Sequence, residues 1–247
     1  MDQEQLAAHL SEWIRQRVAA SGGMGTVFGL SGGVDSAVVA ALCRRAFPHH
    51  CLGLVLPCHS DPGDAEDARL TAHHFGVATA TVDLAEAYDS LCRQLHAVVS
   101  DLPGERSLAC ANVKPRLRMT TLYAFANHQG YRVVGTGNRS ELSVGYFTKY
   151  GDGGVDLLPL GELTKTRVRE LAQHLGVPRR IIDKPPSAGL WEAQTDEGEM
   201  GMTYEQLDAY LEGRDDAVRM KVEAMRAASE HKRRPPEVAP LPEAMQA

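Results

Sequence analysis

No run in the 247-residue sequence approaches the ~18 uncharged apolar residues of a membrane-spanning helix. The first residues, MDQEQLAAHLSEWIRQR, lack a charged start followed by an apolar stretch, which excludes a signal peptide. Cysteine is sparse. The five copies, at 43, 51, 58, 92 and 110, are odd in number and form no CxxC. A disulfide framework is therefore not expected, and a reducing cytoplasm is. Cations are not in excess, since the net charge is −6. That argues against a nucleic-acid partner and leaves room for an anionic small ligand held by a few focused cations. No GlyLys dipeptide occurs, so there is no Walker loop. Against these absences stands an ordinary globular composition, 43% hydrophobic and 23% charged, which excludes disorder of the whole chain.

Residues 4–20 predict an amphipathic helix, with Leu6, Leu10, Trp13, Ile14 and Val18 on one side. TVFGL (26–30), LGLVLP (52–57), VATATVD (77–83) and YRVVGT (131–136) then predict buried strands. Helical patterns over 34–46, 64–75, 84–100 and 113–129 separate them. Short apolar strands alternating with helices make an α/β fold, a doubly wound parallel sheet covered by helices on both faces. Ligands in such sheets bind at the carboxyl ends of the strands. Residues 145–163 are glycine-rich, and helices are expected at 164–175, 203–212 and 215–230. Residues 184–203 are expected as a long, mobile loop, and a proline-rich tail begins at 231. With no internal repeat, the chain (1–247) reads as one domain with a helical C-terminal extension.

The strand at 26–30 runs into Ser31-Gly32-Gly33-Val34-Asp35-Ser36, where a helix starts. Two glycines allow a tight turn and close approach of the backbone to a ligand. The loop and helix N–H groups attract phosphate. An aspartate is out of place at an anion site unless a cation bridges it to the phosphates, which points to Mg²⁺ with a polyphosphate. A lone SGG would be an ordinary capped turn, but SGGxDS after a strand resembles the pyrophosphate loop of the ATP pyrophosphatases, adenylating α/β enzymes of Rossmann-like fold. Gly135-Thr-Gly137-Asn-Arg-Ser140 ends in serine where a dinucleotide fingerprint has glycine. Asn112-Val-Lys114-Pro-Arg116-Leu-Arg118-Met119 puts three cations at a helix start, against the helix dipole, so an anion is expected to face them.

SGGVDS, NVKPRLRM, GTGNRSE, GYFTKYGDGGVDLLPLGELTKT, KPPSA, DE-x₃-G-x-TY-x₂-L and SEHKR occur in this order. Together they resemble the NAD⁺ synthetases over most of 25–234. The resemblance implies a ligase of the last step of NAD⁺ biosynthesis, amidating deamido-NAD⁺ with ATP and ammonia through an acyl-adenylate. It implies ATP at Gly29, Leu30, Ser31, Gly32, Gly33, Val34, Asp35, Ser36, Thr136, Lys165 and Ser187. It implies Mg²⁺ at Asp35 and Glu141, catalysis by Asp35, Lys165 and Glu141, and deamido-NAD⁺ at Arg116, Lys149, Asp156, His231 and Lys232. A cytoplasmic homodimer with its dinucleotide site across the interface is implied as well. Neither a nucleic acid nor a membrane is expected as a partner.

Two departures from the family pattern stand out. Gly189 occupies a position that is usually aspartate, and Ala111 one that is often glycine. The SGG loop begins near residue 31, which leaves no room before it for an amidohydrolase domain. Free ammonia is therefore the expected donor, delivered directly or by a separate glutaminase subunit. The alternatives are a tRNA-modifying ATP pyrophosphatase, which would want a basic face or paired catalytic cysteines, a GMP-forming one, and a non-catalytic nucleotide sensor. The last has no need of Glu141, Lys149, Asp156 and Lys165 together. His49, His50, Cys51, Cys58 and His59 match no zinc spacing, and Cys110 shows no paired base.

Overall fold

Asp2 caps the first helix, α1 (Gln3–Ala20), its carboxylate accepting the Gln5 N–H at 2.7 Å. The computed structural model describes residues 2–99, 108–191 and 194–241. Ile14 and Val18 of α1 are buried, with Leu6, Leu10 and Trp13 packed beside them, as the pattern requires. The chain then alternates: β1 (Gly25–Gly29), α2 (Val34–Ala46), β2 (Cys51–Val55), α3 (Pro62–Phe75), β3 (Ala78–Thr81) and α4 (Ala85–Val98). A short turn, α5 (Leu108–Ala111), leads into α6 (Val113–Gln129) and β4 (Tyr131–Val133). The expected helix end at residue 100 lies outside the described residues.

All four strands are parallel, in the order β3-β2-β1-β4. Val27 pairs with Leu52 on one side and Val133 on the other. Alternate residues of β1 point to opposite faces. Phe28 joins α1, α2 and α3 in one core, while Val27 joins α4 and α6 in a second. β3 corrects the expectation of a buried strand: it is the sheet edge, and three of its four residues are exposed. From β1 the chain winds outward to β3 and then returns to the far side of β1 as β4. This reversal opens a crevice at the carboxyl ends of β1 and β4.

Beyond β4 come α7 (Arg139–Val144), an irregular glycine-rich stretch, α8 (Lys165–His174) and α9 (Arg179–Ile182). α10 (Asp196–Met200), α11 (Tyr204–Leu211), α12 (Arg219–Ala228) and α13 (Glu230–Arg233) follow. α7, α11 and α12 share a third core around Val144, Tyr204, Leu207 and Val222, the helical extension. Two expectations need correction. The 184–203 stretch is not wholly loop, because Thr195 caps α10 by accepting the Gly198 N–H at 3.2 Å. His231 and Lys232 are not tail but helix, since Lys232 N–H closes a turn onto Ser229 at 2.9 Å. Residues 192–193 of the first stretch and 242–247 of the tail lie outside the described residues.

Candidate active site

β1 ends at Gly29, and the SGGVDS loop turns directly into α2. Gly32 has φ +80°, and a Cβ there would stand 2.5 Å from the Asp64 carbonyl oxygen. Only glycine allows both the positive φ and that approach to α3. Gly33 is the N-cap of α2 and gives no side-chain cap, so no side chain closes off the helix's first N–H groups. Ser36 Oγ donates to the Gly33 carbonyl at 2.8 Å, and Ser31 Oγ lies 3.1 Å from it. The hydroxyls hold the loop's curvature around an anion-attracting helix start.

Three residues far apart in sequence meet beside this loop. Lys165, at the start of α8, is 3% exposed and ion-pairs with Asp35. Its Nζ also lies 3.4 Å from Glu141 Oε1. Asn138 fixes both carboxylates. Its Nδ2 donates to Asp35 Oδ1 at 2.9 Å. Asn138 also forms a reciprocal capping box with Glu141 at the start of α7. Below them, Tyr204 donates to Asp196 Oδ2 at 3.0 Å and turns its ring toward Lys165 Nζ, 5.0 Å away. Burial pushes the Glu141 carboxyl up to about 8, against the pull of Lys165. Burial alone would lower Lys165, but Asp35 and Glu141 outweigh it and hold the ammonium charged. Burial raises Asp196 too. One lysine thus faces three carboxyl groups in a site short of positive charge.

That donor set suits a hard cation. Asp35 and Glu141 are both partly open to the cleft, and Mg²⁺ prefers one or two carboxylates completed by phosphate oxygens and water. No three acidic, histidine or cysteine side chains make a ready ligand cage among the described residues. Phosphates would therefore have to complete the shell.

A cleft of about 1070 Å³ spans the carboxyl ends of β1, β2 and β4. Gly29, Leu30, Ser31, Gly33, Val34, Asp35, Ser36, Thr136, Glu141, Lys165, Ser187 and Lys232 all line it. Gly32 does not line it and is buried against α3. Arg116, Lys149, Asp156 and His231 do not line the cleft. Arg116 is exposed, 3.5 Å from the Lys149 carbonyl, and Lys149 in turn donates to the His231 carbonyl. Asp156 accepts from Tyr123 at 3.0 Å and from the Val133 N–H at 2.8 Å. Lys232 holds the Gly145 and Phe147 carbonyls, both at 2.8 Å.

Several residues here escaped the sequence reading as individuals. Arg118 lines the cleft, donating to the Leu56 carbonyl and Ser60 Oγ, each at 3.1 Å, and burial lowers its pKa. Lys114 is buried and donates to the Leu190 carbonyl at 2.8 Å. The available signal was spacing: 114 and 118 are one helical turn apart, whereas 116 faces the other way. Gln194 and Glu199, bonded at 2.7 Å, close the cleft from the α10 side.

The NAD synthase family model matches residues 6–236. The NH(3)-dependent NAD(+) synthetase of Carboxydothermus hydrogenoformans is 52% identical over 238 residues, 95% of this chain and 97% of that protein. Among solved structures, an NMN synthetase from Francisella tularensis superposes with a TM-score of 0.88 at 35% identity, covering 98% of this chain and 99% of its own. The NH3-dependent NAD synthetase from Campylobacter jejuni gives 0.78 at 26% identity, covering 97% and 100%. With these likenesses along nearly its whole length and the SGGVDS loop, Lys165 and two carboxylates assembled at the sheet's crevice, the chain belongs to the NAD synthase family.

Proposed function

We propose that the chain makes NAD⁺ by amidating deamido-NAD⁺ with ATP and ammonia. The observation that carries this is the convergence of Asp35, Glu141 and Lys165 beside an uncapped helix start at the sheet's crevice. The nicotinate carboxylate attacks the α-phosphorus of ATP, and the bond to the bridging oxygen breaks, releasing pyrophosphate. Ammonia then adds to the acyl carbon of the adenylate. The acyl C–O bond breaks, AMP leaves, and the nitrogen loses a proton. No side chain forms a covalent bond. The SGGVDS loop binds the phosphates, and Lys165 neutralises charge developing on them. Asp35 and Glu141 would hold Mg²⁺, which would supply Lewis-acid charge to the phosphate oxygens. Residues 184–191 line the cleft from one side, where closure would keep water from the adenylate.

Cytoplasmic location is supported by the burial of all five cysteines. No helix among the described residues is long and apolar enough to cross a membrane. A homodimer is supported by the position of Arg116, Lys149, Asp156 and His231 outside the cleft of one chain, on a surface a second copy could complete. A monomer by light scattering with full activity would refute the dimer.

The rival substrate is the mononucleotide, because the protein from Francisella tularensis with which the chain superposes so well is named for NMN. The decisive assay supplies ATP, Mg²⁺ and ammonium with either deamido-NAD⁺ or nicotinic acid mononucleotide. A higher kcat/KM for the dinucleotide is expected. The reverse order would replace this reading by the mononucleotide one.

A further inference from the structure

The first turns of α3 touch two parts of the cleft at once. On one side the Asp64 carbonyl and Asp67 Cβ pack against Gly32, 2.5 and 2.9 Å from where a Cβ would stand. On the other, Lys184 Nζ lies 2.7 Å from Asp64 Oδ1 and 2.6 Å from Asp67 Oδ2. The Asp67 side chain is 4% exposed and also ion-pairs with Arg180 Nε at 2.7 Å. Exposed ion pairs contribute little. A carboxylate this buried is different, because it must be matched by cations in place.

Lys184 is the root of the segment that carries Ser187 across the cleft. Between the two stand Pro185 and Pro186, whose locked φ angles make the link stiff. Orientation set at Lys184 is therefore transmitted to Ser187 instead of being lost in a flexible connector. The far end is held separately, by the Lys114 hydrogen bond to the Leu190 carbonyl.

We propose that Asp64 and Asp67 are positioning residues that register Ser187 against the SGGVDS loop through Lys184 and the two prolines. The proposal rests on the reading above, in which both the loop and Ser187 hold ATP. It assigns to α3 a part in ATP affinity, exerted through Lys184.

Lys184→Met tests it most cleanly, because Asp67 keeps Arg180 and the fold has no lone buried carboxylate. Trp191 lies on the same segment and lines the cleft, so in a Trp13→Phe background its fluorescence reports ATP binding without turnover. Lys184→Met and Asp64→Asn are each expected to weaken ATP binding, and raise the KM for ATP, by about tenfold, the cost of a small misplacement of a ligand group. The KM for deamido-NAD⁺ and the thermal midpoint should stay near wild type, and Lys184→Arg should recover most of the ATP affinity. Unchanged ATP binding in Lys184→Met, or equal rises in both KM values, would overturn the proposal. A wild-type chain that binds ATP by fluorescence yet forms no NAD⁺ would defeat the functional reading while leaving the clamp intact.

Discussion

Asp35 and Glu141 are separated by more than a hundred residues yet grip the same ammonium group. Asp35→Asn and Glu141→Gln are each expected to lower kcat by about a hundredfold or more while the fold persists, since each removes a hard anionic ligand for the Mg²⁺ that would carry positive charge to the reacting phosphates. Near wild-type turnover at saturating Mg²⁺ in both variants would sink the assignment. Glu141 also sets a pH dependence. Burial, opposed by Lys165, raises its carboxyl from 4.5 to about 8. A group raised on folding stabilises fully below its unfolded value, and that contribution is lost as pH rises through the folded value. Lys165, also raised, titrates above this window. Without metal or nucleotide, the wild-type thermal midpoint should fall more steeply between pH 4.5 and 8 than that of Glu141→Gln. Parallel curves would remove the buried-carboxylate argument. Asp35 was legible in the sequence because an aspartate is out of place in an anion loop, whereas Glu141 and Lys165 were marked only by the motifs shared with the family. Asp64, Asp67 and Lys184 were not, since acidic and basic residues on helices are usually solvated and nothing local marks a pair that meets across the fold.

Helix α2 spans 34–46 and α6 spans 113–129, as their apolar patterns require, because three or more turns repeat the period often enough to be seen. α7, α10 and α13 have four to six residues, too few for a period. Their readable signals were caps, Asn138 with Glu141 and Thr195 before Gly198. β3 misled because alternating alanine and threonine suits a strand whether it is central or at an edge. The packing of α7, α8 and α11 was illegible for another reason: it depends on one buried carboxylate. Asp208 on α11 is fully buried and accepts from Ser140 Oγ of α7. It also accepts from the N–H and hydroxyl of Thr166 on α8, at 2.8 and 2.7 Å. Ser140 Oγ in turn accepts the Lys165 N–H at 3.0 Å, so this node sits directly beneath Lys165. Asp208→Ala leaves three donors unsatisfied and should cost about 3 kcal/mol in urea unfolding. A loss below about 0.5 kcal/mol, typical of a surface change, would show that the node is not what holds the three helices.

On the scale of the whole molecule, one chain builds an ATP-like cleft but leaves Arg116, Lys149, Asp156 and His231 outside it, which sequence motifs could not reveal because motifs carry no location. Three of these four form one connected surface with α13, through Arg116 on the Lys149 carbonyl and Lys149 on the His231 carbonyl. α13 is fastened down by Lys232 on the Gly145 and Phe147 carbonyls and by Arg233 Nη1 on the Leu142 carbonyl at 3.2 Å. Gly145 makes this possible, with φ +70° and no room for a Cβ against Ser229. The end of the chain therefore divides into a docked turn, α13, and the chain beyond it, and two truncations separate them. Removing 235–247 takes only chain beyond α13 and should leave both KM values unchanged. Removing 231–247 strips the turn from the 142–149 stretch and takes His231 and Lys232 with it. Two charge-assisted contacts are worth about 1.5–3 kcal/mol each, so the KM for deamido-NAD⁺ should rise well above tenfold. The KM for ATP should barely move, because the SGGVDS loop and Lys165 lie on other elements. If the longer deletion lowers the thermal midpoint but leaves deamido-NAD⁺ kinetics unchanged, α13 is only a helix stop, and the dinucleotide is held elsewhere.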